Sequence, residues 1–319
     1  MSLTSDRSAL RNLMDRFADF WLTGESTAIQ PALASDLGLI SHQHGRWHGP
    51  QQALNAIKHD TASGTLYGQT SNHYIAVEQD QAVCSMYLFA MAQNRPQYFL
   101  FGSALVMHFR RETTGWVIEK IRLQVNWSHG APELMSHWKN TPNEQGWDLA
   151  KEPPVLISEV HSPWALMPNA PVADDLPQAL AELYARYSFA VDQNDIGLLA
   201  TTYTQDIEGG FAPAGNFSGY DQVISLLKNF RHLAAVWQHF ARIVRIEDEG
   251  DGQHAKMIVA RIIPERPVSE NGDPIYGAHY QLRVRKGADG QWRVCWTDYR
   301  TGWFSEQNIP AFDIGRATA

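Results

Sequence analysis

Apolar residues recur at helical spacing at the start of each half of the chain. Leu10, Leu13, Met14, Phe17 and Trp21 step by three and four residues, and so do Leu180, Leu183, Tyr184, Tyr187 and Val191. That is the period of an amphipathic helix with one buried stripe. A second short helix is expected over Thr27 to Ala34 and over Ile196 to Thr202, followed by an irregular segment. A third helix is then opened by Gly49 or Gly219. After it the period falls to two: Gly277 to Arg285 alternates apolar and polar side chains, as a half-buried antiparallel strand does. Three or four such strands close each half, with turns at Asp248–Gly252 and Lys286–Gly290.

The two halves carry the same markers in the same order. Leu13-Met14-Asp15-Arg16-Phe17 answers Leu183-Tyr184-Ala185-Arg186-Tyr187, and Gly49 answers Gly219. Asn72-His73-Tyr74 answers Gln238-His239-Phe240, while Trp116 and Trp127 answer Trp292 and Trp303. The offsets are 170, 170, 166 and 176, near enough to constant to indicate a duplication. Between the copies, Ala131 to Pro177 holds eight of the sixteen prolines, which predicts an extended connector. Its Trp138, Trp147 and Trp164 predict that it lies against folded structure rather than in open solvent. The expected division is a first domain over 1–130, a connector over 131–173 and a second domain over 174–319.

Helices followed by an antiparallel sheet make an α+β layer arrangement. This order, Gly219 before the third helix, a His early in the first long strand, and the run from Ala181 to Asp192 resemble the NTF2-like superfamily and its SnoaL-like group. The resemblance covers about Ala179 to Trp303, and Ala9 to Trp127 more loosely. It implies two cones, each with N-terminal helices packed on a curved antiparallel sheet around a cavity for small, mostly apolar molecules. It also implies an intramolecular pseudo-dimer of the two copies, with further homo-oligomers open.

Composition narrows the partners. The formal charge of −8 and the lack of a basic stripe argue against nucleic acid. No apolar run approaches the roughly 20 residues of a membrane helix. The start of the chain does not read as a signal peptide, and two cysteines in different halves, Cys84 and Cys295, fit a reducing cytoplasm. Phosphate-cradling glycine loops, Gly-x-Ser-x-Gly and Cys-x-x-Cys are missing, which argues against nucleotide, acyl-transfer and redox chemistry. His42, His44 and His48 lack a carboxylate or cysteine at metal spacing and are expected at a pocket rim or the surface, with no metal.

By the resemblance, Tyr187, Asp192 and His239 match the Tyr, Asp and His of SnoaL-like dehydratases, and Arg300 stands for the cationic partner. The chemistry is independent of that match. Elimination or isomerisation beside a carbonyl needs a base for an acidic C–H and a donor for the developing oxyanion. His239 can be the base, Asp192 its orienter or itself the base, and Tyr187 the donor. The competing reading makes Tyr187 core and Asp192 a helix cap, and pairs Arg300 with Asp298 structurally. Strand alternation puts Trp237 and Trp296 beside the cavity with His239, and His73 in the equivalent place of the first copy, as ligand contacts. In that first copy Phe17 and Leu22 replace Tyr187 and Asp192, so it is expected to be structural. The expectation is a cofactor-free lyase or isomerase acting on a hydrophobic carbonyl compound such as a steroid, terpenoid or polyketide. Its alternative is a non-catalytic module binding a small ligand or a protein partner.

Overall fold

The computed structural model describes residues 3–62, 64–140, 142, 155–212, 215–231 and 238–314, the side chains of 230 and 231 aside. The chain divides into two compact units, Met1–Pro171 and Val172–Ala319.

The first unit opens with helix α1 (Leu3–Thr23), whose buried stripe is Leu10, Leu13, Met14, Phe17, Phe20 and Trp21. Strands β1 (Leu33–Ser41) and β2 (Gly45–His48) precede α2 (Pro50–Lys58), and β3 (Thr65–Glu78), β4 (Gln81–Asn94), β5 (Gln97–Glu112) and β6 (Gly115–Gly130) follow. They form one six-stranded sheet in the order β2-β1-β6-β5-β4-β3. Its pairs are antiparallel except β1 with β6, which run parallel. A one-turn helix, α3 (Pro163–Leu166), lies in the described part of the connector.

The second unit repeats the plan. Helix α4 (Leu176–Asp192) is capped by Asp175, which accepts from the Gln178 N–H at 3.1 Å. Then come α5 (Ile196–Ala200), β7 (Tyr203–Phe211), β8 (Gly215–Ser218), α6 (Tyr220–Arg231), β9 (Ala241–Asp248), β10 (His254–Arg261), β11 (Ile275–Lys286) and β12 (Trp292–Ser305). The strand order β8-β7-β12-β11-β10-β9 is that of the first sheet, again with one parallel pair, β7 with β12. One topology used twice supports a duplication. Each unit is an α+β arrangement: helices over a six-stranded sheet, with the apolar core between them.

Two local features differ from the sequence expectation. The segment expected to be irregular is a short hairpin in both units, β1–β2 and β7–β8, which brings each sheet to six strands. In the first unit Thr27 to Ala34 is a 3₁₀ turn running into β1 rather than a helix. The markers Gly49 and Gly219 have a conformational reason, since φ is +84° and +88° where the hairpin turns into α2 and α6. The connector's indoles dock as expected where they are described: Trp138 is buried, and Trp164 stacks on Tyr74 with ring centroids 4.1 Å apart. Trp147 lies outside the described residues.

Candidate active site

The last residue of α4 is Asp192, a poor place for an anion because the helix dipole presents its negative end there. Asp192 is nevertheless buried, and His239 holds both of its oxygens. Nδ1 of His239 lies 2.6 Å from Oδ1, and the His239 backbone N–H donates to Oδ2 at 2.8 Å. Both side chains are shut off from solvent. With Nδ1–H given to the carboxylate, Nε2 is the ring nitrogen that would take a proton.

Tyrosines surround this pair. One helical turn and a half before Asp192, Tyr187 meets the imidazole edge-on at 5.5 Å between ring centroids. Tyr280 on β11 lies 6.0 Å from Tyr187 and 6.5 Å from His239, while Tyr184 and Tyr203 close the ring of aromatics. The Tyr184 and Tyr187 hydroxyls are buried without a hydrogen-bond partner of ordinary geometry among the described residues. Burial pushes the phenols of Tyr184, Tyr187 and Tyr203 far above their ordinary range, so they are proton donors across the physiological range. Beneath them a cavity of about 10 Å³, roughly the space of one water, lies between Tyr184, Tyr187, Tyr203, Tyr280, Met257 and Leu282. Asp192 and His239 do not line that cavity.

Tyr187, Asp192 and His239 are thus brought together, but the strand residues expected beside them are not. Alternation over β12 breaks at Cys295: Val294 pairs with Val284, yet Trp296 pairs with Arg283. This bulge flips the side chains that follow, as far as Thr301, to the other face. Thr297 and Tyr299, not Trp296 and Arg300, therefore share the face of Leu282 and Tyr280. Arg300 instead bonds Asp298 at 2.6 Å and Asp313 at 3.2 Å, the structural ion pair of the competing reading. Trp237 lies outside the described residues. His239 itself precedes β9 rather than lying within it. The cation the sequence reading missed is Arg261, at the end of β10 on the face of Met257 and Val259. It donates to the Gln238 carbonyl at 3.0 Å and reaches toward the Tyr280 hydroxyl at 3.5 Å. Its parity with Met257 and Val259 was the available signal.

Residues 177–298 match the family described as the SnoaL-like domain. The second unit is a SnoaL-like domain. No curated protein matches the chain. Among solved structures, the chain is similar to the Kfla4162 protein from Kribbella flavida, at 15% identity over 42% of this chain and 99% of that one, with a TM-score of 0.38. It is also similar to hexachlorocyclohexane dehydrochlorinase LinA-type3 from Novosphingobium barchaimii, at 14% identity over 40% and 91% of the two chains, with a TM-score of 0.37. A third is a putative scytalone dehydratase from Novosphingobium aromaticivorans, at 11% identity over 40% and 89%, with a TM-score of 0.35.

In the first unit the places of the SnoaL-like domain's Tyr187 and Asp192 hold Phe17, in the core, and half-buried Leu22. His73 pairs with Asp15 of α1 at 3.3 Å, and burial holds its pKa below the ordinary value despite that partner. The polar centre of this unit is elsewhere. Asp60, fully buried after α2, accepts from Trp21 Nε1 at 2.7 Å and Trp138 Nε1 at 2.8 Å. His44 Nε2 lies 3.0 Å and His137 Nε2 2.6 Å from the same carboxylate, and Ser41 Oγ is 2.9 Å from His44 Nδ1. His44 is therefore neither a rim nor a surface residue: it is buried at the hub, while His48 is exposed and His42 half-buried. Among the described residues no group of three or more His, Cys, Asp or Glu could hold a metal ion, and no helix is long and apolar enough to cross a membrane.

Proposed function

We propose that the SnoaL-like domain is a cofactor-independent lyase or isomerase acting on a hydrophobic carbonyl compound. The observation that carries this reading is the buried Asp192–His239 pair set against Tyr187. His239 Nε2 would take the proton from the carbon beside the carbonyl, leaving the electron pair to form the enolate. Asp192 would hold the ring's tautomer and stabilise the imidazolium that results. Tyr187 would donate to the developing oxyanion, a role suited to a phenol that stays protonated. The imidazolium then returns its proton to another carbon of the enolate, for isomerisation, or to a departing hydroxyl, for dehydration. The first unit, lacking the Tyr and Asp, is structural in this reading.

The small size of the cavity among the tyrosines, which Asp192 and His239 do not line, favours a second reading, a non-catalytic module that takes a small ligand or a partner through the same cone. The two separate in one experiment. A panel of β-hydroxy and β,γ-unsaturated ketones is followed by the absorbance of the conjugated product, with His239→Ala and His73→Ala beside the wild type. The enzyme reading expects turnover that falls on the order of 100-fold or more in His239→Ala alone. Saturable binding without turnover across the panel would overturn it in favour of the module.

A further inference from the structure

Arg261 has no carboxylate partner among the described residues. Its neighbours on the sheet each have a carboxylate: Arg283 with Glu249 at 2.8 Å, Arg285 with Asp206 at 2.6 Å, Arg293 with Asp289 at 2.5 Å and Arg300 with Asp298 at 2.6 Å. These pairs are partly exposed, where a missing partner costs little. Arg261 is half-buried on the inner face of the sheet with Met257 and Val259, and among the described residues it contacts only neutral groups: a carbonyl at 3.0 Å and a phenol at 3.5 Å. Its Nε is sealed from solvent with no acceptor.

A guanidinium does not shed its proton, so an interior site must neutralise it or bear the desolvation. Asp192 is near enough to couple electrostatically, but its two oxygens are already taken by His239. Beside Arg261 lies Tyr280, and against Tyr280 packs Tyr184, whose hydroxyl has no hydrogen-bond partner of ordinary geometry among the described residues. A cation and a phenolic donor on either side of Tyr280, neither with an acceptor for its buried polar atom, form half of an oxyanion site. Arg261 is tied to the Asp192–His239 pair through the backbone, because it holds the carbonyl of Gln238 and Asp192 holds the next N–H, that of His239.

We infer that Arg261, with Tyr184, binds an anionic oxygen carried by the ligand, a carboxylate or an ionised phenol, and so selects anionic over neutral compounds for the His239 site. The inference rests on the cone being a ligand site, as proposed above, but not on its being catalytic.

Binding of matched probes tests it on the full-length chain: benzoate against benzamide, and 4-nitrophenolate against 4-nitroanisole, by calorimetric titration. The wild type should prefer each anion by at least about tenfold, a charge-assisted hydrogen bond's worth. Arg261→Gln should bring the preference to within about twofold, and Arg261→Lys should keep part of it. Tyr184→Phe, which removes a hydroxyl with no partner of ordinary geometry among the described residues and should fold, ought to weaken the anions about threefold and leave the neutral probes unchanged. Asp192→Asn should retain or increase the anion preference, since it removes a nearby negative charge. A preserved preference in a protein that turns over no ketone would sink the catalytic reading and leave this one standing. Equal binding of anion and neutral partner in the wild type, or equal losses of both in Arg261→Lys and Tyr184→Phe, would make Arg261 only a pin for the Gln238 carbonyl and overturn the inference.

Discussion

His239 binds Asp192 twice, once through its ring at 2.6 Å and once through its own backbone N–H at 2.8 Å. Two donors from one residue fix both the position of the chain before β9 and the orientation of the imidazole. An amide cannot replace this carboxylate, because one of its two polar atoms is itself a donor and would face a donor. Asp192→Asn should therefore cost about 2–4 kcal/mol of stability through a broken buried pair. In thermal melts this would lower the transition of the second unit. A midpoint equal to the wild type's would mean that the pair is not closed in solution.

Tyr187→Phe should behave in the opposite way. Its hydroxyl is buried with no partner of ordinary geometry among the described residues, so removing it spares a desolvation cost of about 1–3 kcal/mol. Stability is expected to stay level or rise, while turnover, or ligand affinity if there is no turnover, falls about tenfold or more. Loss of stability with function intact would return Tyr187 to the core.

The contrast between Tyr187 and Arg300 shows what the chain made legible. Helical spacing fixed the buried stripe of α4 with Tyr187 on it, and a His on the apolar face of the first long strand in both copies pointed to the interior. Spacing alone left Tyr187 as core and Asp192 as a cap equally open; the resemblance is what grouped Tyr187, Asp192 and His239. Arg300 and Trp296 were misplaced because parity counts fail across a bulge, and nothing local to Cys295 announces one. The β1–β2 and β7–β8 hairpins were read as irregular because β2 and β8 are four residues each, too short to show a period. The Asp60 hub was invisible for another reason. Its donors come from residues 21, 44, 137 and 138, and only tertiary structure brings such positions together.

The bulge makes a prediction of its own. Arg300→Ala and Trp296→Ala act on the sheet face opposite Tyr280, so each should leave turnover or ligand affinity within about twofold of the wild type. Arg300→Ala leaves the buried Asp298 carboxylate without this ion-pair partner and should cost about 1–3 kcal/mol of stability while sparing function. A loss of function on the scale of His239→Ala would show that the strand's parity runs straight through Cys295 after all.

In the first unit the decisive group is Asp60. Burial alone would raise its pKa, but the attraction of His44 and the hydrogen bonds from His137, His44 and Trp21 outweigh burial and hold it well below the ordinary carboxylate range. A carboxyl depressed in the folded state stabilises fully above its unfolded pKa, about 4, and that contribution is lost as pH falls toward the folded value. Asp60→Asn removes the charge and leaves one amide nitrogen facing two donors, whichever way the amide turns. At neutral pH it should cost about 3–5 kcal/mol, the range for a broken buried charge network. The sign of the pH effect follows: the stability gap between wild type and Asp60→Asn should be widest near neutrality and narrow below about pH 4, as the wild type loses what the variant never had. Urea titrations of both proteins from pH 7 to pH 3 measure that gap. A gap that widened on acidification would show that Asp60 is protonated in the folded state and that the four donors bind a neutral acid.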